Sequence, residues 1–162
     1  MIAKSIDKML LKKQTGFLIP ADRVAQVQAS NPLTHAFLVL TKVRYSKIPV
    51  LDADSHIIGL LTMPMITDAM IGLEELSFDP IAKMTVADVM QTNFDTIQVD
   101  ADMDQTLHLL VDNPFLPVVD RENVFQGILT RREMMKAFNY VAHNIEQQYE
   151  IIAKDDPAVE EA

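Results

Sequence analysis

The residues best placed to do chemistry are Thr130-Arg131-Arg132-Glu133. A threonine followed three positions later by a glutamate is a capping-box pattern. Hydroxyl and carboxylate each take a backbone N–H that the first turn of a helix leaves unpaired. A helix is therefore predicted to begin here. Two arginines in that first turn face the positive end of the helix dipole, which disfavours each cation by up to about 1 kcal/mol. A bound anion removes the conflict, because backbone donors, dipole and guanidinium groups then converge on one phosphate. The alternative is that both arginines are solvated at an exposed helix end.

Other candidate groups fail on spacing. Asp100, Asp102 and Asp104 are spaced like the opening of a calcium loop, but its sixth position is Gln105 rather than glycine and its twelfth is Val111 rather than glutamate. His35, His56, His108 and His143 are widely separated and form no HExxH-like ligand spacing, so no metal is expected. The four glycines, Gly16, Gly59, Gly72 and Gly127, form neither a P-loop nor a dinucleotide fingerprint. The absence of cysteine removes disulfides, thiolate zinc sites and cysteine nucleophiles. No nucleophile elbow and no acid–base pair stands out, and the chain is expected not to be an enzyme. Phosphate recognition would have to use side chains and helix ends, which returns attention to Arg131 and Arg132.

The 162 residues, 49% hydrophobic and 23% charged, suit one compact unit or two small fused ones. A formal net charge of -9 repels polyanions, so nucleic acid is not an expected partner. Any anionic ligand would need a local cluster of positive groups. No apolar run approaches the roughly 18 residues of a membrane span, and no signal-peptide core follows Met1-Ile2-Ala3-Lys4-Ser5. A soluble cytoplasmic protein with no membrane partner is expected.

The elements that must position these residues are revealed by an internal repeat. Lys47-Ile48-Pro49-Val50-Leu51-Asp52 matches Phe115-Leu116-Pro117-Val118-Val119-Asp120, and the prolines lie 68 positions apart (117 minus 49). Ile58-Gly59-Leu60-Leu61-Thr62 matches Gln126-Gly127-Ile128-Leu129-Thr130 in the same register. Upstream, Val27 and the stretch 33–40 resemble Val99 and the stretch 103–111, at an offset of about 72 (99 minus 27). Phe17-Leu18-Ile19-Pro20 lies opposite Val89-Met90-Gln91. Each copy reads as a short strand (24–27 in the first), then a helix with apolar residues at helical intervals. A hairpin follows around an acidic turn, Asp52-Ala53-Asp54-Ser55-His56 or Asp120-Arg121-Glu122-Asn123. A closing helix comes last, clearest where Met134, Phe138, Val141, Ile145, Tyr149 and Ile152 recur.

This order, with apolar-Pro-apolar at the second strand and Gly-apolar-apolar-Thr at the third, resembles the CBS pair, or Bateman module. The resemblance implies an α+β fold of two strand-helix-strand-strand-helix repeats packed pseudo-symmetrically. The expected organisation is an N-terminal helix at 1–16, repeat one at 17–70, a linker at 71–84, repeat two at 85–150 and an acidic frayed tail at 151–162.

More narrowly, four segments are similar to the stand-alone cyclic di-AMP receptor proteins of Gram-positive bacteria, the CbpB/DarB type. They are Ala21-Asp22-Arg23-Val24-Ala25-Gln26-Val27-Gln28, His35-Ala36-Phe37-Leu38-Val39-Leu40-Thr41-Lys42, Ile48-Pro49-Val50-Leu51-Asp52 and Gly127-Ile128-Leu129-Thr130-Arg131-Arg132. That resemblance implies a homodimer with one nucleotide in the cleft of each protomer. It also implies a regulated partner, a (p)ppGpp synthetase/hydrolase, and no cofactor. It places the ligand against Arg23, where lysine is the commoner residue, and the backbone of Ala25 and Val27. Tyr45, Ser46, Lys47 and Ile48 would line the base and ribose pocket, with Thr130, Arg131 and Arg132 at the phosphate. Tyr45 could equally be a packing residue, and Lys47 an exposed strand residue. Many CBS repeats carry an aspartate three positions after the threonine to grip a ribose. Here the first copy has Met65 and the second Glu133, which weakens AMP, ADP or ATP as the ligand without removing them. A ligand-independent protein-binding scaffold is the third reading. Met63, Met65, Met70, Met134 and Met135 suit a core or a dimer seam, and the seam is expected.

Overall fold

A computed structural model describes residues 2–11, 17–71 and 77–152. A helix α1 (Lys4–Leu11) and a lead-in strand β1 (Leu18–Pro20) come first. The first repeat runs β2 (Val27–Gln28), α2 (Leu33–Val43), β3 (Lys47–Leu51), β4 (Ile57–Thr62) and α3 (Met63–Met70). The second runs β5 (Ile97–Gln98), α4 (Met103–Asp112), β6 (Phe115–Val119), β7 (Phe125–Thr130) and α5 (Arg131–Gln148). Both have the strand-helix-strand-strand-helix order that the α+β reading requires.

The repeated motifs have physical reasons. Asp52 Oδ1 accepts from the N–H groups of Asp54 and His56, both at 2.9 Å, and Asp120 Oδ1 accepts from Glu122 and Val124, both at 3.0 Å. These aspartates therefore satisfy the turn donors and fix each hairpin. The threonine closing each third strand caps the next helix: Thr62 Oγ1 accepts from Met65 N–H, and Thr130 Oγ1 from Glu133 N–H. Only the hydroxyl half of the predicted box at Thr130 forms, because the Glu133 carboxylate is held by Lys136 Nζ at 2.6 Å.

The lead-in segments cross between repeats. β1 pairs antiparallel with β7, Ile19 opposite Ile128, while Gln91 exchanges two backbone hydrogen bonds with Leu60, each 2.9 Å. The repeated glycine makes room for this exchange. A Cβ on Gly127 would lie 2.1 Å from the Ile19 carbonyl oxygen, and one on Gly59 would lie 2.6 Å from Met90 Sδ. Two cores fill the repeats, around Leu33, Ile48 and Leu61 and around Leu110, Leu116 and Met134. A third, with Val24, Leu51, Ile57, Phe115 and Phe125, welds one repeat to the other. Burial of this last set is what opposes separation of the halves.

Several expectations change. Val24 closes a one-turn 3-10 helix over Ala21–Arg23, and the strand is confined to Val27–Gln28. Val27 faces Val50 as Ile97 faces Val118, so Ile97 and not the exposed Val99 is the counterpart of Val27. The shift arises because the connection after the lead-in is shorter in the second copy. Ile152 lies beyond α5 and is 77% exposed. Met70 and Met134 are buried in the repeat cores, where packing with neighbouring helices claims them, whereas Met135 is exposed. Within and just after the expected linker, Ile81 and Val86 are fully buried and the Met84 carbonyl accepts from Leu33 N–H, so this segment caps α2. Residues 1, 12–16, 72–76 and 153–162, which include parts of the expected terminal helix, linker and tail, lie outside the described residues.

Candidate functional site between the repeats

A cavity of about 470 Å³ opens where the first repeat's lead-in and α2–β3 connection face the start of α5. The 3-10 turn after Pro20 brings Arg23, Val24 and Ala25 to one wall. α2 stops at Arg44, whose backbone is left-handed (φ 57°) while its N–H closes on the Leu40 carbonyl. The chain then turns along the cavity as Arg44, Tyr45, Ser46 and Lys47. Thr130, Arg132 and Glu133 form the opposite wall at the positive end of the α5 dipole. Ile19, Pro49, Phe115 and Ile128 supply apolar surface between them.

The two adjacent arginines of α5 part company. Arg131 turns away from the cavity: its Nε donates to the Leu110 carbonyl at 2.8 Å and its Nη2 to the Val111 carbonyl at 3.0 Å. It thus satisfies the carbonyls at the negative end of α4, an environment that suits a cation. Arg132 alone of the pair lines the cavity. No hydrogen bond or ion pair with a described residue holds the side chain of Arg23, Arg44 or Arg132.

Of the residues singled out in the sequence, the cavity therefore gathers Arg23, Ala25, Tyr45, Ser46, Lys47, Thr130 and Arg132. Val27 and Ile48 are buried in the first repeat's core, and Arg131 is engaged by α4. Arg44 was missed. Its signal was a basic residue in the longer of the two helix-to-proline connections, next to a tyrosine already under suspicion.

The pseudo-equivalent positions of the other cleft lack this charge. Residues 91–97 stand where 19–27 stand and contain Asp95 but no cation. Asn113-Pro114-Phe115 replaces the connection bearing Arg44 and Lys47, and Pro64 replaces Arg132. Lys47 reaches towards that side, its Nζ 3.5 Å from Gln91 Oε1, and Asp95 accepts from Asn113.

Shifted titrations lie at the hairpins. His56 Nδ1 is 2.9 Å from Asp52 Oδ2, and this hydrogen bond raises the His56 pKa and lowers that of Asp52. The pair sits at the crossing of the repeats, where His56 bridges to Val124 and the Ser55 carbonyl accepts from Phe125 N–H. With Asp54 it forms a small acidic cluster that has no bearing on the cavity.

The CBS domain family matches residues 19–72 and 86–140. Cyclic di-AMP receptor B of Bacillus subtilis is 38% identical over 139 residues, covering 86% of this chain and 95% of that protein. The structure of the Listeria monocytogenes CbpB protein in complex with c-di-AMP is 45% identical with a TM-score of 0.75, covering 81% of this chain and 98% of that one. CbpB from Streptococcus agalactiae superimposes with a TM-score of 0.84 at 29% identity, covering 94% and 96%. None of the helices among the described residues is long and apolar enough to cross a membrane.

Proposed function

This chain belongs to the CBS-domain family, and from that premise we propose that it is a non-catalytic receptor for cyclic di-AMP, bound in the cavity between its repeats. The observation that carries the reading is the convergence of Arg23, Arg44 and Arg132 on one partly apolar cavity in a protein of net charge -9. Unpaired guanidinium groups at a helix start are matched to phosphodiester oxygens, and the apolar strips between them to adenine faces. The volume is that of a small-molecule site. The backbone of Ala25 offers a donor and an acceptor to an adenine edge, and Tyr45 a face for stacking. The uncharged and acidic residues of the other cleft favour one ligand per protomer. The identity with cyclic di-AMP receptor B supports the choice of ligand.

In this reading the output is a protein contact made in the cytoplasm. A groove between α4 and α5, bordered by Leu107, Val111, Met135 and Phe138, leaves Val111 73% and Met135 62% exposed, which favours a homodimer seam there. The regulated partner is a (p)ppGpp synthetase/hydrolase, released or engaged according to occupancy. AMP, ADP or ATP is the alternative ligand, with Glu133, a residue of the cavity lining, at the place where many CBS repeats carry a ribose-gripping aspartate.

Isothermal titration with cyclic di-AMP, AMP, ADP and ATP tests the proposal. Arg132→Ala should fold normally and lose one charge-assisted contact, about 1.5 to 3 kcal/mol, or roughly ten- to a hundredfold in affinity for cyclic di-AMP. Unchanged affinity would mean that the phosphate is elsewhere. A Kd weaker than about 1 mM for every adenine nucleotide would leave only a scaffold.

A further inference from the structure

Among the described residues, three that are not glycine have left-handed backbones: Arg44, Ser55 and Asn123. Ser55 and Asn123 occupy matching places in the two hairpin turns, where the aspartate-centred hydrogen bonds dictate the geometry. Arg44 has no such match. The corresponding helix α4 ends at Asn113 with an ordinary extended backbone (φ -109°). A left-handed helix terminus is the usual place for glycine, because a Cβ there is disfavoured. At Arg44 that conformation is kept by a residue that lines the cavity and whose long side chain has no hydrogen bond or ion pair with a described residue. Strain retained at a ligand cavity points to use of the side chain.

Resting on the cyclic di-AMP reading, we infer that Arg44 is a specificity residue that selects a ligand with two phosphates over one with a single phosphate. Arg132 presents its charge from the start of α5, in the second repeat, while Arg44 presents its own from the end of α2, in the first. A single phosphate held at the α5 end has no second group for Arg44, whereas a cyclic dinucleotide spanning the cavity places its other phosphodiester towards that wall. Arg44 is exposed, so its contribution is screened by salt and falls between that of a surface ion pair and that of a buried charged hydrogen bond.

The test titrates cyclic di-AMP and AMP into the parent protein, Arg44→Gly and Arg44→Ala. Both variants should bind cyclic di-AMP about three- to tenfold more weakly, with a shallower salt dependence, and AMP with unchanged affinity. Arg44→Gly should melt no lower than the parent, since glycine meets the left-handed φ without a Cβ. Agreement between the glycine and alanine variants separates loss of the guanidinium from loosening of the turn. Binding of cyclic di-AMP within twofold of the parent in both variants, or an equal loss for AMP, would overturn the inference while the receptor reading stood. Failure of the parent protein to bind cyclic di-AMP would overturn the receptor reading itself, and this inference with it.

Discussion

Replacing Arg131 by alanine should damage stability and spare the ligand, the opposite of the result expected at Arg132. The Arg131 guanidinium bridges the last carbonyls of α4 through two hydrogen bonds, at 2.8 and 3.0 Å. A hydrogen bond to a charged group contributes about 1.5 to 3 kcal/mol when sheltered. Here Val111 is largely exposed, so its carbonyl can turn to water once the arginine is gone, while Leu110 is buried and its carbonyl is less easily hydrated. The cation is favourable at the end of α4 and unfavourable at the start of α5, by similar amounts of about 0.3 to 1 kcal/mol, so these dipole contributions roughly cancel. The net loss is then about 1 to 3 kcal/mol. At roughly 2 to 4 °C per kcal/mol for a chain of this size, Tm should fall by about 2 to 12 °C. Thermal unfolding followed by circular dichroism measures the shift, and calorimetry on the same sample measures binding. A variant that melts like the parent and binds cyclic di-AMP tenfold more weakly would refute the reasoning, because Arg131 would then be a ligand residue.

Two further expectations concern the junction of the repeats. Gly127→Ala would set a Cβ against the Ile19 carbonyl at a backbone φ of 149°, so β1 must leave β7 at a cost of about 3 kcal/mol or more, whereas Gly59→Ala meets chiefly the Met90 side chain, with the Gln91 carbonyl oxygen at 3.2 Å, and should cost about 1 to 2 kcal/mol; equal urea midpoints for the two variants would contradict this. The raised pKa of His56 gives a stabilisation that is fully present below the ordinary histidine range and lost as pH climbs through the raised value. The Tm advantage of the parent over His56→Gln should therefore shrink between about pH 5 and pH 8, and an advantage that grows over that interval would refute the assignment. The lowered pKa of Asp52 works in the other direction, its contribution appearing above the ordinary carboxylate value and vanishing as pH falls through the lowered one.

The duplication was legible because it is written in residues with one physical job each. Pro49 and Pro117 sit in matching hairpin strands, Gly59 and Gly127 beneath the crossing lead-ins, and Thr62 and Thr130 at helix caps. Such jobs tolerate few residue types, so the pattern survives in sequence. The expected cavity residues Arg23, Ala25, Tyr45, Ser46 and Lys47 came instead from the resemblance to the cyclic di-AMP receptors. Arg131 and Arg132 could not be told apart in this way, because adjacent positions on a helix project about 100° from each other and only the neighbouring end of α4 decides which one is captured. The signal at Arg44 was weak for a related reason. Its importance comes from the left-handed end of α2, and lysines or arginines near helix ends are ordinary. The burial of Ile81 and Val86 was not legible because they lie among turn-forming residues, and it depends on their packing against α2 and α3.

A crystal structure of the protein with cyclic di-AMP is the most direct test of phosphate binding between the repeats at the start of α5. One dinucleotide per protomer is expected, one phosphate against Arg132, the other towards the wall that carries Arg23 and Arg44, and an adenine beside Ala25. A ligand seated in the cleft that holds Asp95 and Pro64, or on the outer face beside Arg131, would contradict it.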